Sequence, residues 1–105
     1  MSAGRCGLSV TIVAVVLLVS ACSRQEVNID GIVNTCTTCH GPDGKSSGAV
    51  PSLYGLSEEE IVRAFEDFAM GERESTIMDR IVGAYSDEEI RGVAKYFGDL
   101  SKQGK

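Results

Sequence analysis

The chain lacks tryptophan, has a single histidine, His40, and places aromatic residues at only 6% of its 105 positions. A chain this short holds one small domain at most, and so few aromatics leave little bulk to fill a core. A large apolar group, buried and covalently held, would make up that deficit and staple the fold. Basic residues are outnumbered and scattered: 10 Lys and Arg stand against 15 Asp and Glu, a formal charge of −5. That argues against a nucleic-acid partner, which demands a Lys/Arg patch facing the phosphates. No sustained alternation of apolar and polar residues appears, so strands are not expected, and no βαβ pattern or internal repeat is present. With one histidine, no site can rest on two imidazoles.

What is present centres on Cys36-Thr37-Thr38-Cys39-His40. Two cysteines three apart, followed at once by histidine, form the attachment sequence of a c-type haem. On one helical turn the two thiols can each form a thioether to the same porphyrin, and the adjacent imidazole reaches the iron from the proximal face. Competing readings explain less. A structural zinc site needs four ligands, and two of the chain's four cysteines, Cys6 and Cys22, belong to the N-terminal leader. A thioredoxin-like redox pair needs the missing βαβ context. A disulfide leaves His40 without a role.

The leader has its own grammar. Arg5 gives a short positive region, Leu8 to Leu18 form an almost wholly apolar run, and Val19-Ser20-Ala21 supplies the small residues that a signal peptidase requires. An uncleaved membrane anchor is the alternative, but the apolar run of about 14 residues is short of the roughly 20 needed to span hydrocarbon. The run ends in Leu18-Val19-Ser20-Ala21-Cys22, which resembles the lipobox of bacterial lipoproteins. On this reading Cys22 is acylated and becomes the mature N-terminus; an ordinary cleavage site with a coincidental cysteine is the alternative. Acyl chains contribute about 0.8 kcal/mol per buried methylene, so a multiply acylated terminus holds a protein stably on a bilayer. The expected organisation is a lipoprotein signal peptide over 1–21, a short tether over 22–28 and a monohaem domain over 29–105. The domain would then sit on the periplasmic side of a bacterial membrane. Every cysteine is used: Cys6 leaves with the leader, Cys22 carries lipid, and Cys36 and Cys39 carry haem. Without Arg5 the polypeptide holds 9 basic and 15 acidic residues.

Within the domain, Ile29, Ile32, Val33 and Cys36 fall on one face of a short helix that Asn28 or Asp30 could cap. Gly41-Pro42-Asp43-Gly44-Lys45-Ser46-Ser47-Gly48 reads as a loop, followed by Val50-Pro51-Ser52-Leu53. An axial histidine needs a partner for its other ring nitrogen, usually a backbone carbonyl. The Pro51 carbonyl is the candidate; a simple turn proline is the alternative. Ser57-Glu58-Glu59-Glu60 and Ser86-Asp87-Glu88-Glu89 are capping-box patterns with acidic first turns. The first opens a stripe of Ile61, Ala64, Phe65 and Phe68 that Gly71 stops. The second opens Ile90, Val93, Ala94 and Phe97, extended by Leu100. Phe65, Phe68, Tyr96 and Phe97 are expected in the core. Three to five short helices around a covalent haem, an all-α domain, are thus predicted.

The distal ligand is narrowed by elimination. His40 is the sole histidine and Met1 lies in the leader, leaving Met70 and Met78. Met70 sits at a helix end, where methionines mostly fill gaps. Met78 lies between two helices, where a loop can swing a thioether toward a metal, and is the expected ligand, with Met70 second. A thioether favours ferrous iron and raises the reduction potential. Coordination on both faces leaves no open position for substrate, which favours electron transfer over catalysis.

Cys36–His40 with Gly41, the Pro51-Ser52-Leu53 turn, the methionine segment and a final helix ending Tyr96-Phe97 resemble class I cytochromes c. Phe68-Ala69-Met70-Gly71-Glu72-Arg73, Ser75-Thr76-Ile77-Met78-Asp79-Arg80-Ile81 and Ala84-Tyr85-Ser86-Asp87 resemble, more particularly, the cytochrome subunits of flavocytochrome c sulfide dehydrogenases. The resemblance implies that the methionine at Met78 ligates iron, and that the domain accepts single electrons from a sulfide-oxidising flavoprotein subunit. The chain departs from that family in having one haem motif, an added lipobox, and Asp79 where glycine commonly follows the ligand. A carboxylate there, if partly buried, would stabilise ferric iron and lower the potential unless Arg80 cancelled it. A stand-alone lipid-anchored shuttle to an oxidase or reaction centre is the alternative function. A haem sensor or small-ligand binder is a third, requiring an open sixth position. The polypeptide alone offers no free acid–base histidine and is expected not to be an enzyme.

Overall fold

The computed structural model describes residues 25–104. The signal-peptide, cleavage and Cys22 lipidation readings lie outside the described residues. Among the described residues there is no strand, and no helix is long and apolar enough to cross a membrane.

Helix α1, Ile29–His40, begins where Asn28 caps it: the Asn28 side chain accepts from the Gly31 N–H at 3.0 Å. A 3-10 turn, Pro42–Gly44, follows directly. Helix α2, Glu58–Ala69, and helix α4, Asp87–Gln103, both open on reciprocal capping boxes. In α2 the Glu60 N–H donates to Ser57 Oγ at 3.2 Å, while the Ser57 N–H donates to Glu60 Oε2 at 2.7 Å. Ser86 and Glu89 repeat the arrangement in α4. Each box satisfies two orphan donors, and the acidic first turns suit the helix dipole. Between these helices lies α3, Met78–Val82.

The core forms where α4 crosses α1 and α2. Val33 from α1, Ile61 from α2, and Val93, Ala94 and Phe97 from α4 are its buried members; Ile32, Cys36, Leu53, Leu56, Phe65 and Leu100 pack around them. The α4 stripe thus matches the apolar periodicity of the sequence. Tyr96 corrects the expectation of a core aromatic. It lies off that stripe, is 38% exposed, and meets Phe97 only edge-on, with ring centroids 5.2 Å apart. Phe68, half-buried, is covered by the Arg73 guanidinium at 5.0 Å.

Two contacts join the intervening loop to this core. Gly44 is buried against Leu53 and Phe97, and its carbonyl accepts from the N–H groups of Leu53 and Tyr54 at 2.8 and 3.1 Å. Ser101, 6% exposed, accepts from the Gly55 N–H at 2.7 Å and donates to the Phe97 carbonyl at 2.9 Å. The segment after His40 is therefore folded back and fixed from both ends.

Candidate functional site

Cys36, Cys39 and His40 occupy the last turn of α1. Helix geometry puts residues three and four apart on one face, so Cys36 shares a face with both Cys39 and His40. The polar residues between and before them are satisfied locally: Thr37 and Thr38 hydroxyls both donate to the Asn34 carbonyl, at 2.9 and 3.1 Å. Neither cysteine is in a disulfide. Cys36 is half-buried against the core, whereas Cys39 is exposed. Burial pushes the Cys36 thiol above its ordinary pKa; a backbone hydrogen bond works against this and the nearby Cys39 works with it. The Cys36 sulfur thus sits where an uncharged species is favoured, and a thioether is uncharged.

His40 is the last residue of α1, and Gly41 turns the chain away with φ of 87°. Its Nδ1 lies 2.5 Å from the Pro51 carbonyl. A carbonyl can only accept, so Nδ1 carries the proton and the lone pair is on Nε2. That is the tautomer of an imidazole ready to ligate through Nε2. Pro51 is presented by the loop that Gly44 and Ser101 anchor.

Met78 is the first residue of α3 and is half-buried. It was expected in a loop; the backbone instead makes a helical turn there. The reason lies three residues before the helix begins, where Ser75 Oγ accepts from the Asp79 N–H at 3.0 Å and donates to Asp79 Oδ1 at 2.8 Å. Among the described residues helix α3 packs against α2 and against no other helix, so the backbone bearing Met78 does not touch α1. His40 and Pro51 are brought together; Met78 stands on a separate element. Met70, the second candidate, is the cap residue that ends α2 and is 62% exposed. Asp79 is exposed, and the Ser75 hydroxyl holds its carboxyl below the usual carboxylate range. The burial required for Asp79 to act on a neighbouring iron is therefore not met. Exposed Val50, at 38%, adjoins Pro51, and exposed Ile77, at 55%, adjoins Met78.

The donor set discriminates between groups that could be held. Among the described residues no three His, Cys, Asp or Glu side chains converge as a protein-only metal site requires. Two free thiols a turn apart, one in apolar surroundings, beside an imidazole with its Nδ1 committed to a carbonyl, fit a porphyrin attached at its edge and ligated at its centre.

The cytochrome c family model matches residues 31–101. The chain belongs to the cytochrome c family. It is an electron-transfer protein whose cofactor is haem c, with Cys36 and Cys39 in the attachment motif. Over 69 residues it is 51% identical to the cytochrome subunit of sulfide dehydrogenase from Chlorobaculum tepidum, covering 66% of this chain and 63% of that protein. The thiosulfate dehydrogenase electron acceptor of Stutzerimonas stutzeri is 35% identical, over 70% of this chain and 37% of its own length. Cytochrome c-553 of Desulfomicrobium norvegicum is 32% identical over 70% of this chain and 95% of its own. The chain thus spans less than two thirds of the first two relatives.

Sequence reasoning missed the Ser75–Asp79 pair, whose signal was a serine four residues before a carboxylate. It also missed the Gly44 carbonyl and Ser101, which no local pattern marks.

Proposed function

We propose that this domain accepts electrons one at a time from a sulfide-oxidising flavoprotein subunit and passes them to a further redox protein. The observation that carries this reading is the 51% identity to a cytochrome subunit of sulfide dehydrogenase. Haem c supplies a one-electron ferric/ferrous couple. In this reading Cys36 and Cys39 hold it covalently, and His40 ligates through Nε2 while the Pro51 carbonyl fixes the ring and raises its basicity. Met78 is the distal ligand, and its thioether favours the ferrous state and so a higher potential. The domain is tethered through acylated Cys22 to the periplasmic side of a bacterial membrane.

A second reading, a stand-alone lipid-anchored shuttle to an oxidase or reaction centre, is favoured by the near-complete coverage of cytochrome c-553. Purification of the full chain from detergent-solubilised membranes of its own cells separates the two. A co-purifying flavin, and haem reduction when sulfide is added, are expected; haem without flavin and without a response to sulfide would select the shuttle. In the same preparation, Cys22→Ala should move the protein from the membrane fraction to the soluble one, and an unchanged distribution would remove the lipid anchor.

A further inference from the structure

Residues 71–77, which lead into Met78, are exposed throughout. Of helix α3 only Val82, at its far end, is buried, and among the described helices it leans on α2 alone. The residue just before it, Ile77, provides no side-chain cap and is 55% exposed. The chain's own packing therefore does little to fix the backbone at Met78. Ser75 and Asp79 flank that residue and are bonded twice: the Asp79 N–H donates to Ser75 Oγ at 3.0 Å, and the Ser75 hydroxyl donates to Asp79 Oδ1 at 2.8 Å. Between Glu74 and Asp79 these are the only hydrogen bonds made by a side chain among the described residues. The first satisfies a donor that the first turn of a helix leaves orphaned. The second is charge-assisted, and such bonds exceed neutral ones. Together they close a ring of residues 75–79 with Met78 inside it.

We propose that Ser75 and Asp79 are positioning residues that hold the Met78 turn in the conformation from which its thioether binds iron. The function of the Asp79 carboxylate is then to accept from Ser75 and so to hold the hydroxyl that caps α3. This rests on the reading of Met78 as the distal ligand. The clasp acts before ligation, by keeping the turn from fraying, so its loss lowers the effective affinity of the thioether and favours an external competitor.

The test is a titration of the haem-loaded, oxidised full chain with imidazole, followed by loss of the ferric thioether-to-iron charge-transfer absorption. Breaking the two bonds in Ser75→Ala should make imidazole bind about fivefold to thirtyfold more tightly, the range expected for a hydrogen-bonded pair with one charged member. Asp79→Ala, which removes the carboxylate acceptor but leaves the backbone N–H on Ser75 Oγ, should shift the affinity in the same direction by less; the double variant should match Ser75→Ala, and Ser75→Thr, which keeps the hydroxyl, should retain the parent behaviour. A parent-like affinity in Ser75→Ala overturns the proposal. So does simple additivity of the two single variants, which would assign the effect of Asp79 to its charge. Met78→Ala is the separate control: it should lack the absorption from the outset. If it keeps the absorption, the ligand assignment itself fails and the proposal with it; if it loses it while Ser75→Ala is parent-like, the ligand assignment stands and only the clasp falls.

Discussion

Alanine introduced at two glycines of α4 should change stability in opposite directions. A glycine inside a helix costs about 1 kcal/mol relative to alanine, so each substitution carries that gain. At Gly98 the new Cβ would lie 2.8 Å from the Glu58 backbone nitrogen and 3.2 Å from its Cα and Cβ. Backbone at the first residue of α2 cannot rotate aside. Either the helices separate or Glu58 shifts, and the latter strains the Ser57–Glu60 capping box. Overpacking of this kind costs about 1–3 kcal/mol and a damaged cap about 1 more, so Gly98→Ala should lose about 1–3 kcal/mol net. At Gly92 the near atoms are Ile29 Cδ1 and Cγ1, the flexible end of a side chain at the start of α1. Ile29 can change rotamer, so Gly92→Ala should be neutral or gain up to about 1 kcal/mol. Thermal and urea unfolding of the haem-loaded proteins read the difference; at about 4–8 °C per kcal/mol the two midpoints should be well separated. Equal shifts of the same sign would refute the argument, because they would mean that propensity alone governs α4 and that the close approach at Glu58 is not tight.

Ser101→Ala should cost about 1–3 kcal/mol, because it strands the part-buried Gly55 N–H, and unfolding by urea would show it; an unchanged midpoint would mean that water replaces the hydroxyl. Cys36→Ser should destabilise the haem-loaded domain more than Cys39→Ser, since Cys36 packs on the core and Cys39 is exposed. Thermal melts of both, with the reduced pyridine haemochrome reporting one remaining thioether in each, would show the ranking; equal losses would mean that attachment alone matters.

The parts of the domain legible in the sequence are those that short-range chemistry decides. Both capping boxes and the α4 stripe of Val93, Ala94 and Phe97 depend on residues within a turn or two of each other, and they fold as their spacing implies. The acceptor for His40 was legible for a different reason: an axial imidazole requires one, and Pro51 is the residue whose carbonyl meets it. Tyr96 departs from the core expected for the four aromatics because a helix turns 100° per residue, and of the two neighbours only Phe97 continues the buried stripe. In the sequence Met78 lies between two helices and reads as loop, since no capping residue directly precedes it. Ser75 does that work from outside the helix, an offset that the usual capping pattern does not cover. The Gly98 crossing was beyond reach, since what excludes a side chain there is backbone from another helix, far away in sequence.

These elements divide the domain unequally around its cofactor residues. His40 ends a helix whose Val33 and Cys36 are part of the core, and its ring is held by a loop tied to α4 through Ser101 and to Phe97 through Gly44. The helix that bears His40 is held by core packing, and its ring by the exposed hydrogen bond to the Pro51 carbonyl. Met78 belongs to a five-residue helix that rests on α2 and is closed at its start by two exposed hydrogen bonds. Exposed bonds of this kind open at small cost, whereas buried core contacts open only at a cost approaching global unfolding. Any exchange of axial ligand should therefore begin on the methionine side while His40 stays in place. With His40 and Met78 as the proposed axial ligands, the strength of the Ser75–Asp79 pair would set how firmly the thioether that raises the potential remains bound.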